Sequence, residues 1–332
     1  MIIAVDAAGG DYAPQEVVRG AIQAAEEHEV DVALVGRKTI LEMLARRYAR
    51  NQNLAIIEAS QTIECNEHPV QAIRSKPDSS IVVGTRLVRD GIASAFVSAG
   101  NTGAVLTAAF LNLERIEGIQ RPALCAVFDA DQSSPVLLID AGVNADCRPS
   151  FLVQFAELAT TFAEEVLGID SPRVGLLNNG EEEIKGNLLT RDSHQLLKRT
   201  NLNFIGNIEG QELLKGKADV IVTDGFTGNI MIKTIEGYSD ILQNLLELGQ
   251  ASKVDHQLTG AALVNYVELA SMVKRMDYKE YGGACLLGID GNVVVAHGRS
   301  QAKAIKNAIH LAHRAARLKV VEAIKNGHYV SR

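Results

Sequence analysis

Residues 94–110 read SAFVSAGNTGAVLTAAF. Ala95, Phe96 and Val97 make a short apolar run of strand length, and Ala104 to Phe110 is apolar over helical length. Between them stand Ser98, Gly100, Asn101, Thr102 and Gly103, all small and uncharged. A turn that only redirected the chain could carry charge or bulk. This composition suits a strand-to-helix turn whose backbone is approached closely by an anion. A helix N-terminus offers unpaired N–H groups and a positive dipole end. Glycine removes the side chain that would stand in the way.

The same rhythm runs through the chain. Strand-like runs fall at 2–6, 31–35, 54–58, 94–98, 124–128, 136–140, 173–177, 203–206, 219–223, 284–289 and 292–296. Helical periodicity falls at 14–28, 38–50, 79–90, 103–114, 150–167, 187–199, 228–248, 258–274 and 302–326. Pro14 and Pro149 sit where helices begin. Continuous apolar strands alternating with helices predict an α/β fold, a three-layer α/β/α sandwich around a mainly parallel sheet. Ligands of such sheets bind beyond the carboxyl ends of the strands.

Six strands are followed by polar turns rich in glycine: Asp6–Asp11, Ala99–Gly103, Ala141–Asp146, Asn178–Glu183, Asn207–Gly210 and Asp224–Asn229. In a parallel sheet all six would share one edge. The turns at 98–103 and 224–229 read as anion cradles. Neither is a P-loop, and neither is the dinucleotide GxGxxG, so no nicotinamide cofactor is expected.

The chain has 332 residues, 47% hydrophobic and 22% charged, enough for a large core. A net charge of −7 argues against nucleic acid as partner. Cys65, Cys125, Cys147 and Cys285 show no metal-ligand spacing and suit a reduced, cytoplasmic compartment. The first residues, MIIAVDAAGGD, read as a strand and not as a signal peptide, and no run is long enough to span a bilayer. With no linker or repeat, residues 1–332 read as a single α/β domain. Segment 238–276 interrupts the rhythm as a helical hairpin, a candidate dimer or membrane contact.

No protein nucleophile is evident, and neither GxSxG nor HExxH occurs. That favours substrates that attack each other while oriented donors hold them. Lys185 is the best placed cation, though three preceding glutamates could simply pair with it. Lys233 follows Asn229 one turn later, and His297 ends a strand, where a structural role is the ordinary one. Asp140, Asp146 and Asp224 could be imagined on a divalent metal, but no cofactor fingerprint accompanies them, so no metal or cofactor is expected.

Ten segments taken together resemble the bacterial phosphate acyltransferase (PlsX) family: AVDAAGGDYAP, HPVQAIRSKPDSS, SAGNTGA, RPAL, DAGVNADC, GLLNNGEEEIKG, FIGNIEG, DVIVTDGFTGNIMIK, YGGACLLG and AHGRS. They occur in order from residue 2 to about 300. Ala8 and Val143 depart from the family's usual Met and Ala. The resemblance implies transfer of a long fatty acyl chain from acyl carrier protein to inorganic phosphate, giving an acyl phosphate for phospholipid synthesis. It implies an isocitrate dehydrogenase/phosphotransacetylase-like fold, a homodimer and peripheral contact with the cytoplasmic membrane. A downstream glycerol-3-phosphate acyltransferase becomes a further candidate partner.

Lys185 and Asn229 are carried over as the catalytic pair. The expected phosphate and substrate lining comprises Asp6, Gly9, Gly10, Asp11, Arg74, Ser98, Gly100, Asn101, Thr102 and Gly103. It continues with Asp140, Asn144, Asp146, Asn179, Glu181, Asn207, Glu209, Asp224, Phe226, Thr227, Gly228 and His297. Glu181 and Glu209 are expected to orient Lys185 or neighbouring amides. Acidic acyl carrier protein should seek a basic patch, either Arg46, Arg47 and Arg50 or Arg74 and Lys76. Alternatives are a phosphotransacetylase on short acyl-CoA, a decarboxylating dehydrogenase of related fold, and a membrane-surface scaffold. Nothing in the residues locates a groove for the acyl chain.

Overall fold

The computed structural model describes residues 1–48, 54–129, 135–251, 270–271, 273 and 280–327. Strands β1 (Ile2–Asp6), β2 (Asp31–Gly36), β3 (Ala55–Glu58), β4 (Ala95–Ser98), β5 (Ala123–Asp129) and β6 (Pro135–Ile139) come first. They are followed by β7 (Val174–Asn178), β8 (Phe204–Glu209), β9 (Val220–Val222), β10 (Gly283–Leu287) and β11 (Asn292–Ala296). All join one sheet, in the order β3-β2-β1-β4-β11-β10-β5-β6-β9-β7-β8. Each expected strand is present, and β8 runs on to Glu209.

The helices are α1 (Gln15–His28), α2 (Lys38–Tyr48), α3 (Pro69–Ser75), α4 (Ser80–Arg89), α5 (Thr102–Asn112) and α6 (Pro149–Phe162). After them come α7 (Leu188–Leu197), α8 (Gly225–Ala251), α9 (Ala302–Arg317) and α10 (Val320–Asn326). The short α3 was not expected from periodicity; Pro69 opens it. The segment read as one helix over 302–326 is broken at Lys319, which adopts φ 56. The first half of the expected hairpin continues α8 without a turn. Its second half, 258–274, lies outside the described residues but for three positions.

Alternate strand residues enter two separate cores. Ile3, Val5, Leu137 and Ile139 pack on the side of α1, α6 and α9. Ala4, Val136 and Leu138 pack on the side of α4 and α5. That alternation makes the sheet the middle of three layers. On the first side Gly20 lets α1 approach α9 closely, since a Cβ there would stand 2.6 Å from the Ala302 carbonyl oxygen. On the second, Gly84 of α4 leaves room for the Phe96 ring.

The sheet is mainly parallel but changes direction three times, at β11/β10, β10/β5 and β5/β6. Its first block, β3-β2-β1-β4-β11, therefore runs opposite to its second, β6-β9-β7-β8. This corrects the expectation of a single polar edge. The turns after β1, β4 and β11 lie on one edge, and those after β6, β7, β8 and β9 on the other.

Candidate active site

A cleft of about 560 Å³ lies on the α4/α5 side of the sheet. Its floor is apolar: Leu124, Ala126 and Phe128 of β5, Ala284 of β10 and Val295 of β11. One wall is the start of α5, from Gly100 to Gly103, with Leu106. The other is α8, through Asn229, Ile232, Lys233 and Glu236. Helix α8 starts at the β9 end of the sheet. About three turns later Glu236 meets His297, which follows β11 on the opposite edge. The helix thus spans the cleft and brings the two polar edges to one space.

At the α5 end a buried network holds the backbone. Asp6 Oδ1 accepts the N–H groups of Ala8 and Gly9, each at 3.0 Å. Ser98 Oγ donates to Asp6 Oδ2 at 2.6 Å and accepts the Gly100 N–H at 3.0 Å. Gly9 and Gly100 then lie backbone to backbone, because a Cβ on Gly9 would stand 2.7 Å from the Gly100 Cα. Burial pushes the Asp6 carboxyl above the usual range, opposed by hydrogen bonds from Ser80 and Ser98. Gly10 adopts φ 108, and the next N–H, of Asp11, donates to the Gly298 carbonyl at 2.8 Å.

Asn101 caps α5, its Oδ1 accepting the Ala104 N–H at 3.0 Å. Its Nδ2 donates to the carbonyls of Glu64, Cys65 and Glu67. The side chain holds that loop, and the residue lies in the cleft lining. Gly103 owes its identity to α3, since a Cβ there would stand 2.6 Å from Pro69 Cγ. The N–H groups of Thr102 and Gly103, in the first turn of α5, have no intrahelical acceptor, and both residues line the cleft.

The α8 end is built on Asp140, fully buried. Its Oδ1 accepts the N–H groups of Leu124, Gly142 and Val143, and its Oδ2 the N–H and side-chain amide of Asn144. Asn144 also donates to the Pro122 carbonyl at 2.8 Å and accepts the Gly225 N–H at 2.8 Å. Asp224 caps α8 by accepting from the Thr227 N–H and hydroxyl, each at 2.8 Å. Asp140, Asn144 and Asp224 are thus hydrogen-bonded within the protein, and they lie outside the cleft lining. Asn229 sits against Gly142 with its amide on the cleft.

Apart from His297, the remaining expected residues stand outside the cleft wall. Asn207 is buried between His194 Nδ1, at 2.9 Å, and the Glu182 carbonyl, at 2.9 Å. Glu209 makes a capping box with Glu212 around a short 3-10 turn. Glu181 pairs with Lys217 at 2.6 Å, so it does not orient Lys185. Asn179, Asp146 and Arg74 are exposed outside the cleft wall. Lys185 is exposed on the same sheet edge as the start of α8, its stem lying over Gly180. Among the described residues it has no ion-pair partner. Phe226 and Thr227 are exposed in the first turn of α8, and Gly228 packs on the Asp140 carbonyl.

His297 lines the cleft and is positioned from two sides. Its Nδ1 accepts the Arg299 N–H at 3.1 Å, which leaves the ring proton on Nε2, 3.2 Å from Glu236 Oε2. Arg299 itself pairs with Asp240 at 3.0 Å, one turn further along α8. Glu236 was missed in the sequence, as was Cys65 at the cleft rim. The signal for Glu236 was the spacing Asn229, Lys233, Glu236, Asp240, which places all four on one helix face.

The fold is that of the phosphotransacetylase-like α/β proteins. A phosphotransacetylase from Streptococcus pyogenes superposes with a TM-score of 0.62 at 18% identity, over 97% of this chain and 94% of its own. The family described as fatty acid synthesis protein matches residues 1–323, and the chain belongs to it. The phosphate acyltransferase of Dehalococcoides mccartyi is 55% identical over 95% of this chain and 91% of its own length. That of Dictyoglomus turgidum is 44% identical over 98% and 97%. The chain is accordingly an enzyme of the acyltransferase class.

Proposed function

We propose that this enzyme transfers a long-chain fatty acyl group from acyl carrier protein to inorganic phosphate, giving an acyl phosphate for phospholipid synthesis. The observation that carries the reading is the cleft, which joins the start of α5 to an apolar floor on β5, β10 and β11. Each buried CH₂ of a chain on that floor contributes roughly 0.8 kcal/mol. A phosphate oxygen attacks the thioester carbon, the C–S bond breaks, and the carrier leaves as its thiolate. The Thr102 and Gly103 N–H groups hold phosphate. The Asn229 amide donates to the oxyanion that develops on the thioester oxygen, a contact whose loss costs about 3–4 kcal/mol in the barrier. Lys185, exposed and without an ion-pair partner among the described residues, stands outside the cleft lining on the α8 edge, a cation available to the acyl donor.

A homodimer and a membrane surface both suit the outer face of α8, where Phe226, Ile230, Tyr238, Ile241 and Leu245 are exposed at helical spacing. No helix among the described residues is long and apolar enough to cross a membrane. For the carrier protein, Arg46 and Arg47 end α2 exposed or half-exposed, while Arg50 lies outside the described residues. Lys76 is occupied by Glu67 and the Thr62 carbonyl, which favours the α2 patch.

The test is phosphate-dependent release of carrier thiol from palmitoyl-acyl carrier protein, with the product trapped by hydroxylamine. Release with hydroxamate formation supports the reading. Release from acetyl-CoA alone would move the activity to short acyl-CoA, and no release from either would overturn acyl transfer to phosphate.

A further inference from the structure

The phosphate subsite needs a cation, and the resemblance supplied Lys185 for it. The geometry of the cleft points elsewhere. Besides the Cys65 thiol at the rim, three charged or chargeable side chains line it: Lys233, Glu236 and His297. His297 Nε2 faces Glu236 Oε2 at 3.2 Å, so each is engaged by the other. Arg299, beside them, is paired with Asp240. Lys233 is exposed into the same space and, among the described residues, has no carboxylate partner. Its ammonium is therefore the cation of the cleft lining without an ion-pair partner among the described residues, on the wall opposite the first turn of α5.

We propose that Lys233 is the phosphate-binding cation of this site and hence a catalytic residue, which rests on the acyl-to-phosphate reading above. Phosphate carries one to two negative charges near neutral pH. Helix N–H groups hold its oxygens but neutralise only about half a charge. Lys233 supplies the remainder, as a point charge on a flexible stem. Its helix face is fixed by what flanks it. Asn229, one turn before, abuts Gly142, and Glu236 and Asp240, further on, are latched to His297 and Arg299. The latch holds α8 across the cleft, so Lys233 is presented at a set distance from α5. His297 is then a positioning residue whose effect passes through α8.

The experiment compares the wild type with Lys233→Met and Lys233→Arg in two readouts. One is binding of inorganic phosphate to the resting protein by calorimetry, which needs no acyl transfer. The other is the KM for phosphate and for acyl carrier protein in the thiol-release assay. Lys233→Met should weaken phosphate binding and raise its KM by roughly 10- to 100-fold, the range of one charge-assisted contact. The KM for the acyl donor should move less than about threefold, and Lys233→Arg should recover most of the loss. Because Lys233 is exposed, the thermal midpoint of each variant should match the wild type. Phosphate binding and KM unchanged in Lys233→Met would overturn the assignment. A wild type that binds phosphate through Lys233 yet releases no thiol would uphold it and overturn the reaction instead. A His297→Gln variant that loses phosphate affinity while Glu236→Gln does not would overturn the latch.

Discussion

The two ends of the cleft are built on one plan and held with different strength. At each, a buried aspartate closes a strand and gathers N–H groups from the loop that follows. At the α8 end, Asp140 takes five donors onto its two oxygens. At the α5 end, Asp6 takes two N–H groups and the serine hydroxyls of Ser98 and Ser80. A buried carboxylate is stabilised by the donors it collects. Asp140 anchors a helix directly, because a Cβ on Gly225 or Gly228 would strike its carboxylate or its carbonyl. Asp6 anchors one loop against another, Gly9 against Gly100. The α8 end presents side chains from a rigid helix, whereas the α5 end presents backbone. Strand-end acids in such a fold are the frame on which a site is hung.

The comparison breaks most visibly at Asp140. Asp140→Ala strands one buried and four part-buried donors, a buried one costing about 1–3 kcal/mol, so a loss of about 3 kcal/mol and of all turnover is expected. Thermal unfolding together with the thiol-release assay measures both. Asp6→Ala should cost less, since the α5 backbone keeps the Asn101 cap. Equal losses from the two substitutions would remove the distinction between the ends.

How much of this was legible in the sequence depends on the kind of signal. The strands were, because runs such as VLLID and DVIVT are apolar without interruption. The direction of the sheet was not read, although ACLLGI and NVVVA are joined across Asp290-Gly291, a short hairpin link between β10 and β11. Reading it would have split the polar turns between two edges. The roles of Asp140, Asn101 and Asn207 were hidden for another reason. A residue type that can bind phosphate can as easily bind a neighbouring N–H or carbonyl, and only the geometry shows which. Glycines misled in the same way. Gly103 and Gly228 look like room for a ligand and are room for Pro69 and the Asp140 carbonyl. Lys233 was legible as a helical neighbour of Asn229, but its standing as the unpaired cation depends on the latch at Glu236.

A second test of the stronger end is Gly228→Ala. The added methyl would lie 2.0 Å from the Asp140 carbonyl oxygen, so α8 must shift. Overpacking of this sort costs about 1–3 kcal/mol. Turnover should fall further than stability, because Asn229 and Lys233 move with the helix. A variant with wild-type kinetics would show that α8 need not seat on Asp140.

Acidity probes the weaker end. The Asp6 carboxyl is raised in the folded protein, mainly by burial, so folding favours its protonated form. Its contribution to stability is full below about 3.8, the unfolded value, and is lost as pH rises through the raised folded value. Asp6→Asn should flatten that fall. His310, on α9 away from the cleft, acts in the opposite sense. Burial, then the charges of His28, Arg314, His313 and Arg317, push it down to about 4. It stacks on His28 with ring centroids 3.9 Å apart. Its contribution is present above about 6.5 and lost as pH falls toward 4. Discounted for solvent screening, that amounts to about 1 kcal/mol. Unfolding midpoints of wild type, Asp6→Asn and His310→Leu from pH 4 to 8 separate the two slopes. An Asp6→Asn profile parallel to the wild type would show that the Asp6 carboxyl contributes no slope.

The smallest effect expected is at the helix caps, and it should be unequal. Asp224 caps α8 through Thr227 alone and is only half-buried, so Asp224→Ala should cost about 0.5–1 kcal/mol. The start of α8 would stay in place, because the Gly225 N–H still donates to the Asn144 carbonyl and Gly228 still rests on Asp140. Asn101→Ala removes a cap and three further hydrogen bonds to the 64–67 loop, and should cost about twice as much. It should also raise the KM for phosphate, since the first turn of α5 frays when its cap and its covering loop leave together. If Asp224→Ala raised that KM as much, backbone order at α8 would matter to phosphate as it does at α5. The division between an end that offers backbone and an end that offers side chains would then have to be given up.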